Sequence, residues 1–345
     1  MIGVENMLKM LEKDFKIVIN EVKNQISNTK IEIFQNANMS LLKLYYNIGK
    51  IIYDNSKWGN KFIESMAHEL KISFPNIKGF SVRNLKSMKK YYLICSQNEK
   101  VQTASAQIPW SHNMLILDKI KDNNKRIWYM NETAINGWSY DVLGFQIKSN
   151  LYSRQVLGDK PNNFKTTLIR PQSELAKNIM KDPYILNLTS LKENYIETEL
   201  EIAMVEKIKT VLLELGNGFS FIGNQYKIDV GNKEYFIDLL FYHTKLHCYI
   251  VVELKNTEFK PEYAGKVNFY LSVIDDMLRE GSDNPSIGII LCREKDKISV
   301  EYALKNMTKP IGVSSYKLSE YLPLEIIKEL PTEEEINLHI DITNE

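Results

Sequence analysis

From residue 5 to 55 apolar side chains recur at steps of three and four. Leu8, Leu11, Phe15, Val18 and Val22 are followed by Leu41, Leu44, Tyr45, Ile48 and Ile52. This is the spacing of one face of an α-helix, and it predicts long helices there. Another helix is expected over 61–71, then a loop with Pro75 and Gly79, then a helix from Val82 to about Cys95 with Ser81 as its N-cap. After the polar stretch 96–107, shorter helical patterns cover 113–120, 124–136 and 139–152, so the first half reads as mainly α. Between 156 and 195 the residues Gly158, Pro161, Asn162, Asn163, Pro171 and Pro183 interrupt any long period.

Beyond that stretch the period changes. A helix is expected over 196–215, ended by Gly216-Asn217-Gly218. Strand signals lie near 219–222, 225–230, 235–242 and 248–256, followed by a helix over 261–280. A strand at 286–292, a helix at 300–306 and a strand at 311–318 complete the series. The expected organisation is a helical domain over 1–157, a connector over 158–195, an α/β domain over 196–330 and an acidic tail over 331–345. The fold class is α+β overall.

Two of the expected strands carry charge where a core residue belongs. Glu234-Tyr-Phe-Ile-Asp-Leu-Leu-Phe-Tyr242 and Cys248-Tyr-Ile-Val-Val-Glu-Leu-Lys255 flank a turn at 243–247 and read as an antiparallel hairpin. A hairpin symmetric about Lys245 sets Asp238 opposite Val252 and within one position of Glu253. Glu253 and Lys255 are two apart, so they point to the same face, and Asp238, Glu253 and Lys255 can converge. Two carboxylates suit Mg²⁺, a hard cation that keeps water and substrate phosphate in its other positions. A nearby ammonium can orient the attacking water and offset charge developing on phosphorus. A Glu-x-Lys triplet alone is equally what a solvated strand edge looks like. Here it interrupts the apolar run Ile250-Val251-Val252-Glu253-Leu254, where an unpaired charge is costly.

Asp238 with Glu253-Leu254-Lys255 resembles the Asp…Glu-x-Lys signature of the PD-(D/E)xK nuclease superfamily. Longer strings resemble its YhcG-like family of bacterial proteins: Leu212-Leu-Glu-Leu-Gly216, Phe236-Ile-Asp-Leu-Leu-Phe-Tyr-His243, Phe259-Lys-Pro-Glu-Tyr-Ala-Gly265 and Ile287-Gly-Ile-Ile-Leu-Cys292. In the first half, Gly79-Phe-Ser-Val-Arg-Asn-Leu85 and Pro109-Trp-Ser-His112 also resemble it, as does Lys181-Asp-Pro-Tyr184 between the halves. The resemblance implies a restriction-endonuclease-like C-terminal domain with a mixed central sheet and a metal site at Asp238 and Glu253. Mg²⁺ is the expected ion, with Mn²⁺ able to substitute. Lys255 would position the water, Leu254 would lend its carbonyl oxygen, and Glu201 would add a helix carboxylate, although an acid at a helix start that favours the dipole fits Glu201 as well. Gln225 matches a family position and could contact phosphate or a metal-bound water, although a plain strand glutamine fits as well. Lys266 and Tyr270 resemble the Gln-x-x-x-Tyr motif of related nucleases, with Lys266 standing where glutamine is usual. The substitution keeps a donor and loses an acceptor.

Charge divides the chain. Residues 1–170 hold 25 Lys and Arg against 14 Asp and Glu, a balance of +11, while the remaining residues hold 19 against 29, a balance of −10. A basic half suits a polyanion. On the helix after Ser81, Arg83, Lys86 and Lys90 fall on one face beside Lys89, like the recognition helix of a helix-turn-helix or winged-helix module. A solvated basic face or a protein-binding face would have the same composition. The expected partner is nucleic acid, double-stranded DNA before other forms, and a homo-oligomer is compatible with the sequence. Cys95, Cys248 and Cys292 lack CxxC spacing, and His243 and His247 flank a turn rather than share a helix face, so neither set predicts zinc. No apolar run approaches a membrane span and the N-terminus lacks a signal-like pattern, so a cytoplasmic location is expected. Two functions remain: a metal-dependent DNA endonuclease with an N-terminal binding module, or a non-catalytic nucleic-acid-binding or assembly protein on a nuclease-like fold.

Overall fold

The computed structural model describes residues 2–55, 60–188, 191 and 195–318, and the acidic tail expected at 331–345 lies outside them. The chain divides into two compact units, Met1–Tyr140 and Asp141–Glu345. Among the described residues no helix is long and apolar enough to cross a membrane.

The first unit contains α1 (Ile2–Asp54), α2 (Asn60–Ser73), α3 (Val82–Gln97), α4 (Glu99–Ser105), α5 (Trp110–Lys119) and α6 (Asn123–Asn136). The periodic stretch 5–55 is thus one continuous helix. Its C-terminal part packs on α3 through Tyr45, Ile52, Leu85 and Met88. Gly49 permits the approach, since a Cβ there would lie 2.1 Å from the Met88 carbonyl oxygen. Ser81 caps α3 as expected, its side chain accepting from the Asn84 N–H. α4 arises inside the polar stretch 96–107. There Asn98 accepts from the Val101 N–H and Val101, Ala104 and Ser105 are buried, so capping and tertiary burial override a weak local pattern. Among its described residues this unit has no strand, and residues 74–81 separate α2 from α3.

The second unit opens with α7 (Tyr140–Lys148) and a short π-turn at Ser153–Leu157. It contains α8 (Phe164–Thr167), α9 (Gln172–Ile179), β1 (Tyr184–Leu186), α10 (Glu197–Glu206), α11 (Ile208–Leu215), β2 (Phe219–Val230), β3 (Lys233–His243), β4 (Cys248–Leu254), α12 (Pro261–Met277), β5 (Ile287–Cys292), α13 (Lys297–Leu304) and β6 (Ile311–Leu318). The six strands lie in the order β1-β6-β5-β4-β3-β2. β2, β3 and β4 are antiparallel, while β4, β5, β6 and β1 run parallel. One face buries Leu239, Val252 and Leu254 under Leu200, Met204 and Val211 of α10 and α11. The other buries Leu240, Val251 and Ile290 under Val267, Leu271 and Val300 of α12 and α13. β4 and β5 are covered on both faces, which is why their sequences are nearly all apolar.

Residues 158–195 are more than a connector. Tyr184, Ile185 and Leu186 pair with Tyr316, Lys317 and Leu318, making β1 an edge strand of the central sheet. Asp182 accepts from the Ser315 N–H and Oγ, each at 2.8 Å, and pairs with Lys295 at 2.6 Å. Three residues of strand directly after Pro183 give too short a period to be read locally. The helix expected over 196–215 breaks at Lys207, whose φ of −110° and ψ of 28° end α10. α11 buries Thr210, Val211, Glu214 and Leu215, and Ile208 and Leu212 pack partly buried against the same core. The strand signals at 219–222 and 225–230 join into one strand, β2, with a register shift between Phe221 and Gly223.

Candidate metal and phosphate site

The site is built at the open end of the β3–β4 hairpin. Leu239 pairs with Val252 and Leu240 with Val251, one position away from the expected pairing of Asp238 with Val252. Continued by one step, this register sets Asp238 across from Glu253, and paired residues share a face. Both carboxylates therefore point to the α12 side, the face of Leu240 and Val251. The ladder ends there because the Leu254 N–H donates at 2.8 Å to Asp238 Oδ2 instead of to a strand carbonyl.

Glu253 is fully buried. Its Oε1 meets Lys255 Nζ at 3.0 Å and Lys266 Nζ at 2.6 Å, while Oε2 is buried with no hydrogen-bond partner. A buried carboxylate oxygen without a partner is costly, and a cation is the usual remedy. Burial raises the Asp238 carboxyl to about 6, with the Glu253 charge adding to the rise. Burial alone would lower the Lys255 ammonium, but Glu197 at 2.8 Å and Glu253 outweigh it, so its pKa ends well above the ordinary lysine value. Lys266 follows the same balance, raised by Glu253 against burial. The two ammonium groups also lie over aromatic rings, Lys255 over Tyr263 and Lys266 over Tyr270, each at 5.3 Å.

The other expected site residues are distributed differently. Glu201 is buried on α10, but it accepts from Asn224 Nδ2 at 3.1 Å and from Gln225 Nε2. Among the described residues no three acidic, histidine or cysteine side chains are gathered to hold a metal, so the expected third carboxylate does not join Asp238 and Glu253. Gln225 has φ of 43°, a left-handed conformation inside β2, and the register through Asn224 and Tyr226 sets it across from Asp238. Tyr270 is buried and donates to the Phe236 carbonyl at 2.8 Å, so its hydroxyl braces β3 rather than facing substrate. Leu254 presents its carbonyl to Lys255 Nζ at 2.9 Å. Glu197, one turn before Glu201, was not expected. The only available signal was the i, i+4 spacing that puts both on one helix face. His243 is buried, its imidazole lowered to about 4 by desolvation and its Nδ1 accepting from the Leu246 N–H. It packs against Gly218 (φ 109°), where a Cβ would lie 2.7 Å from the ring, so it is a core residue.

Two family models cover most of the chain. The DUF1016 N-terminal domain matches residues 21–154 and the YhcG PDDEXK nuclease domain matches residues 177–331. The chain carries a YhcG PDDEXK nuclease domain behind a DUF1016 N-terminal domain. The YhcG protein of Escherichia coli (strain K12) is 27% identical over 330 residues, spanning 85% of this chain and 87% of that one. Among solved structures, a repair endonuclease from Pyrococcus abyssi is 17% identical, with a TM-score of 0.25 over 37% of this chain and 50% of its own. An EndoMS complex with double-stranded DNA is 12% identical, with a TM-score of 0.26 over 39% of this chain and 48% of its own. These matches span about half of each solved chain, and likenesses so slight carry no argument. The YhcG-like nuclease domain thus includes Asp238, Glu253, Lys255 and Lys266 within its matched span.

The raised Asp238 carboxyl has a pH consequence. A carboxyl that holds its proton more tightly when folded stabilises the metal-free protein below its unfolded value, and that contribution is lost as pH rises through about 6. Metal-free thermal unfolding should therefore show a fall in melting temperature between pH 5 and 7. Asp238→Asn should flatten that part of the profile. Identical profiles for the two proteins would remove the buried-acid assignment.

Proposed function

We propose that this protein is a metal-dependent nuclease that hydrolyses phosphodiester bonds, with DNA as substrate and the basic helical unit as its binding module. The carrying observation is the buried Glu253 carboxylate, with an oxygen lacking any partner, set across the hairpin from Asp238. Asp238, Glu253 and the Leu254 carbonyl are the groups that would hold Mg²⁺ or Mn²⁺. A divalent ion bound there polarises the scissile phosphate and lowers the pKa of bound water. Lys255, kept charged by Glu197 and Glu253, would orient that water and offset charge on the phosphorane. Glu201 acts through Asn224 and Gln225, positioning the β2 backbone opposite Asp238.

Lys266 favours a second reading, a nuclease fold without turnover, because its ammonium already serves as a cation to Glu253 Oε1. A cleavage assay separates the two. Supercoiled, linear, single-stranded and branched DNA, with RNA beside them, are incubated with Mg²⁺ or Mn²⁺. Metal-dependent cuts that vanish in Asp238→Asn support the nuclease. Binding without cuts under every condition supports the second reading.

Arg83 and Lys86 are exposed on α3, whereas Lys90 is paired with Asp118 at 2.6 Å and Lys89 is half-buried. Arg83, Lys86 and Lys90 line one shallow groove with Val82 and Ser87. If the two exposed residues each neutralise a phosphate, Arg83→Ala with Lys86→Ala should make the slope of log affinity against log salt shallower by about 1.8, at roughly 0.9 per contact. The titration belongs in the Asp238→Asn background, so that cleavage does not intrude. An unchanged slope in a folded variant would mean that α3 does not meet phosphate.

A further inference from the structure

The N-terminal half of α1 is a helix whose apolar face has no neighbour among the described residues. Phe15 (66%), Val18, Val22, Ile26, Ile33 and Phe34 (74%) are all exposed. Packing starts only at Asn38, whose Nδ2 donates to the carbonyls of Ala106 at 3.3 Å and Ile108 at 3.1 Å. From there on, Leu42, Tyr45 and Ile52 are buried. A long helix in water draws most of its stability from burying an apolar face, and a contiguous exposed apolar stripe marks an interaction surface.

The stripe has a defined repeat. Phe15, Ile26 and Ala37 are eleven apart, as are Val22, Ile33 and Leu44. An eleven-residue repeat, 3.67 residues per turn, keeps its positions on one side of a nearly straight helix, which is how sequences for helix-to-helix association are written. The stripe from 15 to 37 is about 33 Å long, enough for three heptad lengths of contact. Its charges identify the occupant. Residues 5–37 contain five lysines and five acids, so the basic excess of the first half lies elsewhere and this segment has no bias toward a polyanion. In helical phase, positions 23 and 30, both lysine, fall on one side of the stripe, and positions 21 and 32, both glutamate, fall on the other. Two parallel copies bring opposite sides together, acid against base. Two antiparallel copies bring like sides together, which repels.

We propose that two copies of this chain associate through residues 15–37 of α1 as a parallel helix pair. Sedimentation analysis of the full chain at tens of micromolar should give twice the chain mass. Val22→Asp combined with Ile33→Asp should give the single-chain mass, with far-UV dichroism and thermal unfolding of the rest of the protein kept, because both side chains are exposed within one chain. Orientation is read with Val22→Cys. Parallel pairing sets residue 22 beside its own copy, so mild oxidation should give a disulfide dimer on a non-reducing gel, while Asn24→Cys on the outer face should not. Cys95, Cys248 and Cys292 are buried and do not interfere. A single-chain mass for the unmodified protein, a dimer that survives the double aspartate variant, or a dimer in which Val22→Cys fails to cross-link would each overturn the proposal.

Discussion

Asp238→Asn and Lys255→Ala should each lower metal-dependent cleavage by roughly 10²–10³-fold or more, the scale of losing one group that stabilises transition-state charge. The fold should survive both. Asparagine keeps a side-chain oxygen for the Leu254 N–H, and Glu253 keeps Lys266 when Lys255 is cut back. Nucleic-acid affinity should change little, because neither group belongs to the basic α3 face. The decisive measurement pairs cleavage rates with metal titration by calorimetry. Asp238→Asn should weaken both binding and turnover, while Lys255→Ala should spare binding and lose turnover. Cleavage at the unmodified rate in either folded variant would refute the site.

The second large effect is on stability and concerns Glu214. Its carboxylate pairs with Arg154, both side chains being buried, and also accepts from the Ile185 N–H at 2.9 Å, so it ties β1 to α11 and to the π-turn. Arg154 spends its remaining donors on the Ser149 carbonyl at 3.0 Å, the Ser149 hydroxyl at 3.1 Å and the Pro183 carbonyl at 3.2 Å. Glu214→Ala leaves a buried guanidinium without its counter-charge, a loss of about 3–5 kcal/mol. For a unit of this size that lowers the melting temperature by roughly 10 °C. Replacing both partners together, Arg154→Met with Glu214→Leu, should recover much of the loss, since the cost lies in the orphaned charge. A Glu214→Ala protein that melts within a degree or two of the unmodified one would show that solvent reaches Arg154.

The mismatches between pattern and structure share a cause. Expected helices and strands that formed did so where an apolar period persisted for several turns or pleats, as in α3, α12, β3, β4 and β5. β1 is three residues long, α4 depends on the Asn98 cap and on burial of Val101, and the expected single helix over 196–215 is divided at Lys207. Each of these is decided by neighbours distant in sequence. Tyr270 shows the same for a site residue: spacing placed it on the right helix, but its hydroxyl is committed to the Phe236 carbonyl.

By itself the sequence determined that Glu253 and Lys255 share a face, since a strand alternates with period two, and that a charge inside Ile250–Leu254 must find a partner, since both faces of such a strand are apolar. It could not determine the register. Symmetry about Lys245 would have paired Asp238 with Val252 and turned it to the face away from Glu253. The tertiary structure pairs Leu239 with Val252 instead, because Leu239 is buried under α10 and α11 while Leu240 is buried under α12, and that one-residue difference brings the two carboxylates together. The partner of Glu253 was likewise a tertiary decision. Lys266 reaches it from α12 and Glu197 reaches Lys255 from α10, across contacts that no local period encodes.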